Sequence, residues 1–454
     1  MKRGWLEMTT GARVRRVRPD RTLRQWVRLF LLHLFAALTA PLVPSSTNAR
    51  SRGLWLPWPD RQDRQPGEGS LLRGGIQASH VTATLTSAVL HSILLIRPDH
   101  LGDLLFTTPA LKVLRETFPE AHITYLVGPW GVPVMANNPD VDQIAVCPFP
   151  GFSRGAKKSF LEPYLLLWKQ AKILKERRFD LAILLRFDHW WGALLAYLAG
   201  IPARVGYDVA EVRPFLTRAV PYTYGHHEVE QNLRLVGAIG GDRIIYAGQR
   251  LSRDDQLPFS RYRLEFNPSA EDREFAAAYL AERGIVSGDP LICIHPGAGA
   301  PVKLWRNEAW AQVADTLAQR RGVKIIITGA RGEAELAGAI AAQMKLPPIV
   351  AAGDTSLGQL AAIMARSRLV LGPDCGPLHL AVAMGVPTVH LYGPVDHQAF
   401  GPWGDPSRHR VLLSRLDCIP CNRLDYTAEE LDEHPCVRLI TVDQVLAVAQ
   451  ELLN

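Results

Sequence analysis

From His91 onward, short uninterrupted apolar runs alternate with stretches of helical period. The first set predicts strands at 92–97 (SILLIR), 122–127 (HITYLV), 143–147 and 180–186 (DLAILLR), with helices near 104–117, 159–177 and 190–199. A second set repeats the rhythm, with strands at 290–295, 323–328, 347–351, 368–372 and 387–392 and helices near 307–320, 333–344, 356–366 and 377–384. Strands that are apolar throughout, rather than at every second residue, are covered on both faces, as in a parallel sheet flanked by helices. Two such sets predict two Rossmann-like α/β domains, 91–262 and 263–454, joined by a polar, Pro-punctuated link around 250–268. Ser269 followed by Asp272 has the spacing of a reciprocal helix cap. Ligands of open parallel sheets lie beyond the carboxyl ends of the strands, and two facing domains hold theirs between them.

Composition narrows the class without naming the chemistry. Hydrophobic residues are 47% and charged residues 21% of 454, with 36 Gly and 33 Pro, which excludes collagen, a long coiled coil and a wholly disordered chain. A mean hydropathy of +0.00 argues against a multispanning membrane protein. The net charge of +7 is concentrated at one end: residues 1–50 hold ten Lys/Arg against two acids, a balance of +8, so the remaining 404 residues sum to −1. A neutral body does not call for nucleic acid. Six cysteines in a chain of this length are no disulfide framework and suit a reducing compartment.

Residues 1–90 read as a basic extension. Segment 29–43 is apolar apart from His33 and Thr39 and follows a run of arginines, but it is shorter than the ~20 residues a membrane-crossing helix requires. It reads either as a helix lying in a membrane interface or as a plain N-terminal extension. Residues 45–75 have the composition of a disordered linker.

Five loops at predicted strand ends hold the candidate chemistry. In the first, Arg97 to Asp103 (RPDHLGD), Asp103 falls at a helix start, where a carboxylate either complements the helix dipole or acts as a general base. In the second, HPGAGAPVKLW, glycines permit close approach and Lys303 offers a point charge suited to phosphate. No Walker or strand-linked dinucleotide fingerprint occurs. Glu333, ending TGARGE, stands where an acid commonly bonds ribose hydroxyls, although Glu is favoured in any first helical turn. The fourth loop, GPDCGPLH, brings Asp374, Gly376 and His379 to a loop-to-helix turn suited to a diphosphate. The fifth, YGPVD, has plain turn chemistry. Arg97, Arg186 with Asp188 and His189, and His226 beside His227 are candidates on the first domain's side. For His226, ligand contact and helix capping weigh equally. Asp140 and Asp142, the D-x-D in PDVDQI, read as a turn. Cys418, Cys421 and Cys436 with His434 have the residue types of a zinc site, although we expect no metal.

Taken in order, RPDHLGDLLFTTPAL, HPGAGAPVKLW, GPDCGPLHLA and LYGPVD resemble glycosyltransferase family 9, the ADP-heptose:lipopolysaccharide heptosyltransferases, from about His91 to the C-terminus. The resemblance implies a GT-B architecture, with an N-terminal acceptor domain and a C-terminal donor domain facing a cleft. It also implies an inverting transfer of heptose from ADP-heptose to a lipopolysaccharide or related glycolipid acceptor, without a required metal, at the cytoplasmic face of the inner membrane. Carried over, Asp103 is the base, Lys303 binds the donor phosphates and Glu333 the adenosine ribose. Asp374, Gly376 and His379 cradle the diphosphate and sugar. This chain departs from the family at Cys375, where a Thr is common, so any hydroxyl contact there is lost. Two rival readings share the architecture: a nucleotide-sugar epimerase, and a non-catalytic nucleotide-sugar-binding protein.

Overall fold

The computed structural model describes residues 90–152, 161–240 and 262–454. The apolar segment 29–43, the linker 45–75 and most of the expected link at 250–268 lie outside the described residues.

The first lobe runs β1 (Ser92–Arg97), α1 (Leu101–Leu105), α2 (Thr108–Thr117), β2 (His122–Val127), α3 (Val132–Met135), β3 (Gln143–Val146), α4 (Glu162–Arg177), β4 (Leu181–Leu184), α5 (Trp190–Leu198), β5 (Ala203–Tyr207), β6 (Arg218–Val220) and α6 (Glu228–Gly240). The second runs α7 (Ala270–Glu282), β7 (Leu291–Ile294), α8 (Asn307–Arg321), β8 (Lys324–Ile327), α9 (Ala334–Ala341), β9 (Ile349–Val350), α10 (Leu357–Ala365), β10 (Leu369–Pro373), α11 (Gly376–Ala383), β11 (Thr388–Tyr392), α12 (His397–Phe400), β12 (His409–Leu413) and α13 (Val442–Leu453).

Both sheets are six-stranded and parallel, in the orders β3-β2-β1-β4-β5-β6 and β12-β11-β10-β7-β8-β9. Counted from its own first strand, each has the doubly wound order 3-2-1-4-5-6. Each therefore reverses its winding once, between β1 and β4 and between β7 and β10. All six residues of β1 are buried, as are all of β4, β7 and β10, which accounts for their unbroken apolar sequences.

The expected helix over 104–117 is two helices. Thr107 Oγ1 donates to the Leu104 carbonyl at 2.7 Å, and Pro109 opens α2, where its missing N–H is harmless. The expected strand at 347–351 shrinks to two residues because Pro347 and Pro348 have no N–H to give a ladder. Ser269 and Asp272 do form the reciprocal cap.

The lobes touch at their switch points. A Cβ on Gly102 would lie 3.0 Å from the His379 ring, and one on Gly376 would lie 3.0 Å from Leu101 Cβ, so α1 and the start of α11 meet through small residues. Phe106 packs edge-on against His379 (centroids 4.7 Å) and His227 (4.9 Å). His227 Nδ1 accepts from the Val229 N–H at 3.1 Å, which makes Nε2 the protonated nitrogen, and Nε2 donates to the Gly401 carbonyl at 3.0 Å. Trp403 Nε1 donates to the Tyr262 carbonyl at 2.7 Å.

Gly372 lies in β10 under α11, and a Cβ there would fall 2.4 Å from Leu378 Cδ2 and 2.5 Å from the His295 carbonyl oxygen. Backbone cannot yield as a side-chain tip can, so Gly372→Ala should cost ~1–3 kcal/mol. The cost should appear as a lower urea midpoint at unchanged slope. An unchanged midpoint would show that the strand–helix packing has slack.

Candidate functional site

At the first switch point a guanidinium is buried where the apolar strand β1 ends. Arg97 is 2% exposed. It lies 2.6 Å from Asp99, 3.2 Å from Glu228 at the start of α6 and 3.5 Å from Asp103 in α1, and it donates to the Leu185 carbonyl. Arg186, leaving β4, pairs with Asp99 and, at 2.6 Å, with Asp188, and its guanidinium lies 5.2 Å over the Phe152 ring. Glu228 is further fixed by the Tyr222 hydroxyl, which donates to it at 3.0 Å.

The geometry sets the protonation of Asp103. Arg97 serves three carboxylates and stands farthest from Asp103. Asp103 keeps 34% of its side chain open to solvent. Desolvation by the surrounding walls, then repulsion from Asp99, outweighs Arg97 and pushes its carboxyl up to about 7. Asp99 goes the other way: Arg97 and Arg186 hold it below the usual carboxylate range against the burial that opposes ionisation. His189 is buried against Phe149 and Trp191, and burial drives its imidazole down to about 3.

At the second switch point Lys303, in the turn after β7, lies 2.7 Å from Asp374 at the end of β10. Gly376 opens α11 two residues later and His379 lies on that helix, 4% exposed, with Nδ1 buried and unpartnered. Burial holds the His379 imidazole neutral, down to about 3. The Glu333 carboxylate accepts from the Ala330 N–H at 2.7 Å and lies 3.8 Å from His295 Nε2. A Cβ on Gly297 would fall 2.0 Å from Glu333 Oε1, so the glycine leaves the carboxylate room to lie against this loop. Burial pushes the Cys375 thiol above its ordinary range.

The structure thus gathers the sequence candidates into two groups that meet. Lys303, Asp374, Gly376 and His379 surround one loop-to-helix turn, with Glu333 on the neighbouring loop. Asp103 follows the residue that touches His379, which puts the Asp103 Cα within roughly 8 Å of that ring, given the 3.8 Å spacing of successive Cα atoms. Arg97 falls inside the first group as a buried partner of Asp103. His226, two residues before α6, pairs with Glu230 at 2.9 Å and Arg234 at 3.1 Å on that helix, while its neighbour His227 accepts from the Val229 N–H at the helix start and reaches the other lobe. Asp99 and Glu228 were not singled out from sequence. Asp99 stands within the RPDHLGD loop, whereas Glu228 is 131 positions from the arginine it holds.

Asp142 caps the Ile123 N–H at 2.7 Å and pairs with Arg115, as a turn residue does. Cys418 and Cys421 are exposed and Cys436 is buried. The Tyr426 ring lies 4.1 Å from the His434 ring, and its hydroxyl lies 3.5 Å from Cys421 Sγ. Among the described residues no group of three or more His, Cys, Asp or Glu converges as metal ligands.

Comparison with known proteins places this geometry. Lipopolysaccharide heptosyltransferase 3 of Escherichia coli is 27% identical over 312 residues, covering 67% of this chain and 84% of that protein. Lipopolysaccharide heptosyltransferase 2 of the same species is 26% identical over 340 residues, covering 71% and 88%. The crystal structure of a family 9 glycosyltransferase from Veillonella parvula superposes with a TM-score of 0.65 at 28% identity, over 80% of this chain and 97% of that one. The E. coli ADP-heptose lipopolysaccharide heptosyltransferase II structure shares the fold, with a TM-score of 0.62 at 23% identity over 80% and 98%. The model for glycosyltransferase family 9 (heptosyltransferase) matches residues 167–431, and this chain belongs to that family.

Proposed function

We propose that the protein is an inverting glycosyltransferase that moves heptose from ADP-heptose to the lipopolysaccharide core or a related glycolipid, at the cytoplasmic face of the membrane and with no required metal. Residues 91–262 would hold the acceptor and 263–454 the donor. Family membership supports the reaction class, and the names of the relatives supply donor and acceptor. The observation that carries the reading is Asp103: a partly open carboxyl tuned to about 7, one residue from the contact with His379.

The chemistry follows from the two groups. Asp103 accepts the acceptor hydroxyl's proton as that oxygen attacks the anomeric carbon. The ADP departs from the opposite face of the sugar, so the configuration inverts. A base works best with a pKa near the working pH, where it is largely ionised yet still basic. Arg97 is a positioning residue that holds Asp103 through its 3.5 Å ion pair. Arg186, a partly open cation at the first switch point, is with Asp188 the acceptor-side candidate. On the donor side, the Lys303 ammonium exchanges Asp374 for the diphosphate oxygens. The start of α11 at Gly376 adds its dipole, and neutral His379 offers an N–H rather than a charge. Glu333 accepts from the ribose hydroxyls beside Gly297. No helix among the described residues is long and apolar enough to cross a membrane.

Incubation with ADP-heptose and a heptose-deficient glycolipid should give transfer. An epimerised sugar, or donor left unreacted, would overturn the reading. Asp103→Asn should lower kcat by about 10²–10⁴ while ADP affinity stays within about twofold. Equal loss of both would mean that the variant misfolds.

The pH dependence has a definite sign. A base must be deprotonated, so kcat/KM should fall about tenfold per unit below pH ~7. The folded carboxyl also binds its proton more tightly than an unfolded one at about 3.9. Stability attributable to Asp103 should therefore decline as pH rises from ~4 to ~7 and level off above that. Asp103→Asn should accordingly melt above the parent at pH 8, and a lower melting point there would contradict the assignment.

Lys303→Met removes a charged hydrogen-bond donor worth ~1.5–3 kcal/mol, so ADP should bind about ten- to a hundredfold more weakly by calorimetry. ADP should also raise the parent's melting point more than UDP does. The opposite ranking would count against the heptose donor.

A further inference from the structure

Helix α4 packs against α5 and buries Leu167, Gln170, Ala171 and Leu174, an i, i+3, i+4, i+7 stripe. Its opposite face repeats the same spacing in the wrong place for a solvated surface: Leu161 is 60% exposed, Tyr164 50%, Leu165 67% and Trp168 68%. Singly exposed apolar residues need no explanation, but four large ones on adjacent turns form a patch. Exposed Lys169, Lys172 and Lys175 continue the same face toward the helix C-terminus, and the Lys172 ammonium lies 5.9 Å from the Trp168 ring. From Leu161 to Arg178 there are five basic residues against two acids.

We propose that this face of α4 docks the protein on a bilayer containing anionic phospholipid, with Leu161, Tyr164, Leu165 and Trp168 entering the interface and the lysines meeting the headgroups. Trp, Tyr and Leu beside lysines is the composition that membrane interfaces favour. Charge argues against the other occupants. Residues 1–50 carry a balance of +8 and would be repelled by the lysines. A second copy packed antiparallel across a two-fold axis would set the lysine half of each α4 against the apolar half of the other, matching neither.

The position of the face gives it a use. The strands are parallel, so α4, following β3, starts at the end of the sheet from which Arg97 and Arg186 leave β1 and β4. The Trp191 indole N–H donates to the Pro163 carbonyl at 3.2 Å, tying the first turn of α4 to α5, and Phe152 before it lies under Arg186. Docking through the N-terminal half of α4 would bring the Asp103 side of the lobe to the lipid surface. That use, though not the docking itself, rests on the glycolipid acceptor proposed above.

The test is co-sedimentation of the full chain with vesicles. Phosphatidylcholine with roughly a third phosphatidylglycerol should bind it about tenfold better than phosphatidylcholine alone. Leu165→Ser with Trp168→Ser, and separately Lys169→Gln with Lys172→Gln and Lys175→Gln, should each lower that partition about tenfold. The melting points should stay at the parental value, because the buried stripe is untouched; should the serine variant melt early, the glutamine variant decides. Parental binding by both variants would overturn the proposal and assign the contact to residues 1–90. Absence of vesicle binding, or a dimer that Trp168→Ser dissociates, would also overturn it. Binding requires no donor, so failure here leaves the proposed reaction standing, and failure of transfer leaves the docking result standing.

Discussion

One buried guanidinium organises the first lobe. Arg97 ends a strand whose four preceding residues, Ile93 to Ile96, are apolar, so its charge is carried into the interior by sheet formation itself. A buried cation is tolerable only with its hydrogen-bonding directions filled by close anions, and Asp99, Glu228, Asp103 and the Leu185 carbonyl fill them. Those partners come from the loop after β1, from α1, from the end of β4 and from α6, so one side chain ties together four parts of the fold. Three carboxylates to one guanidinium, even with Arg186 helping at Asp99, leave one of them short of positive charge. The one left short is the most exposed and the most distant from Arg97, Asp103. Desolvation by the walls around it, followed by repulsion from Asp99, therefore raises its affinity for a proton, and Arg97, held closer to the other two carboxylates, does not offset them.

The repeated topology explains where the chemistry gathers. In each lobe the two central strands leave the sheet for helices on opposite faces, which opens the space that their loops line. The loop pair Arg97–Asp103 and Arg186–Asp188 is one instance, and the pair around Lys303 and Asp374–Gly376 is the other. Facing glycines at 102 and 376 bring the two instances together, because a side chain at either would displace the opposite wall.

Local sequence foretold what local physics determines. Strands buried on both faces, such as β1, β7 and β10, announce themselves as apolar runs, and the Ser269–Asp272 cap is a four-residue motif. The unforeseen strands are β5 (ARVGY), β6 (RAV) and β12 (HRVLL), which mix charge, Gly or very short length with apolar residues and lie at or near sheet edges. Pairing with a neighbour decides them, and no window of sequence contains the neighbour. The site divides in the same way. Asp103, Lys303, Glu333, Asp374 and His379 stand in motif loops and were legible. Glu228 and the interlobe role of His227 depend on chain segments more than a hundred residues apart. His226 and His227 look alike in sequence, and only the helix start decides that one faces its own helix and the other Gly401.

A common cause sets both sides of the junction. Burial favours the neutral form of any ionisable group, so it raises Asp103 to about 7 and lowers His379 to about 3 and His295 to about 4. At neutral pH these imidazoles contribute dipoles and hydrogen bonds but no charge. The donor group's formal positive charge beside α11 then comes from Lys303, and Asp374 already occupies it at 2.7 Å. In the proposed reaction a diphosphate arriving there would compete with that carboxylate, bringing more negative charge and accepting from the helix start as well. Without Lys303, Asp374, 6% exposed, would keep the neighbouring Tyr392 hydroxyl but no positive charge, and a second donor would restore its balance. A sugar hydroxyl is the group that an adjacent nucleotide sugar would supply. In the proposed reaction the lysine–aspartate pair would favour a complete donor over free phosphate: the anion alone would draw off the lysine and weaken the carboxylate's pairing, whereas the attached sugar would satisfy both.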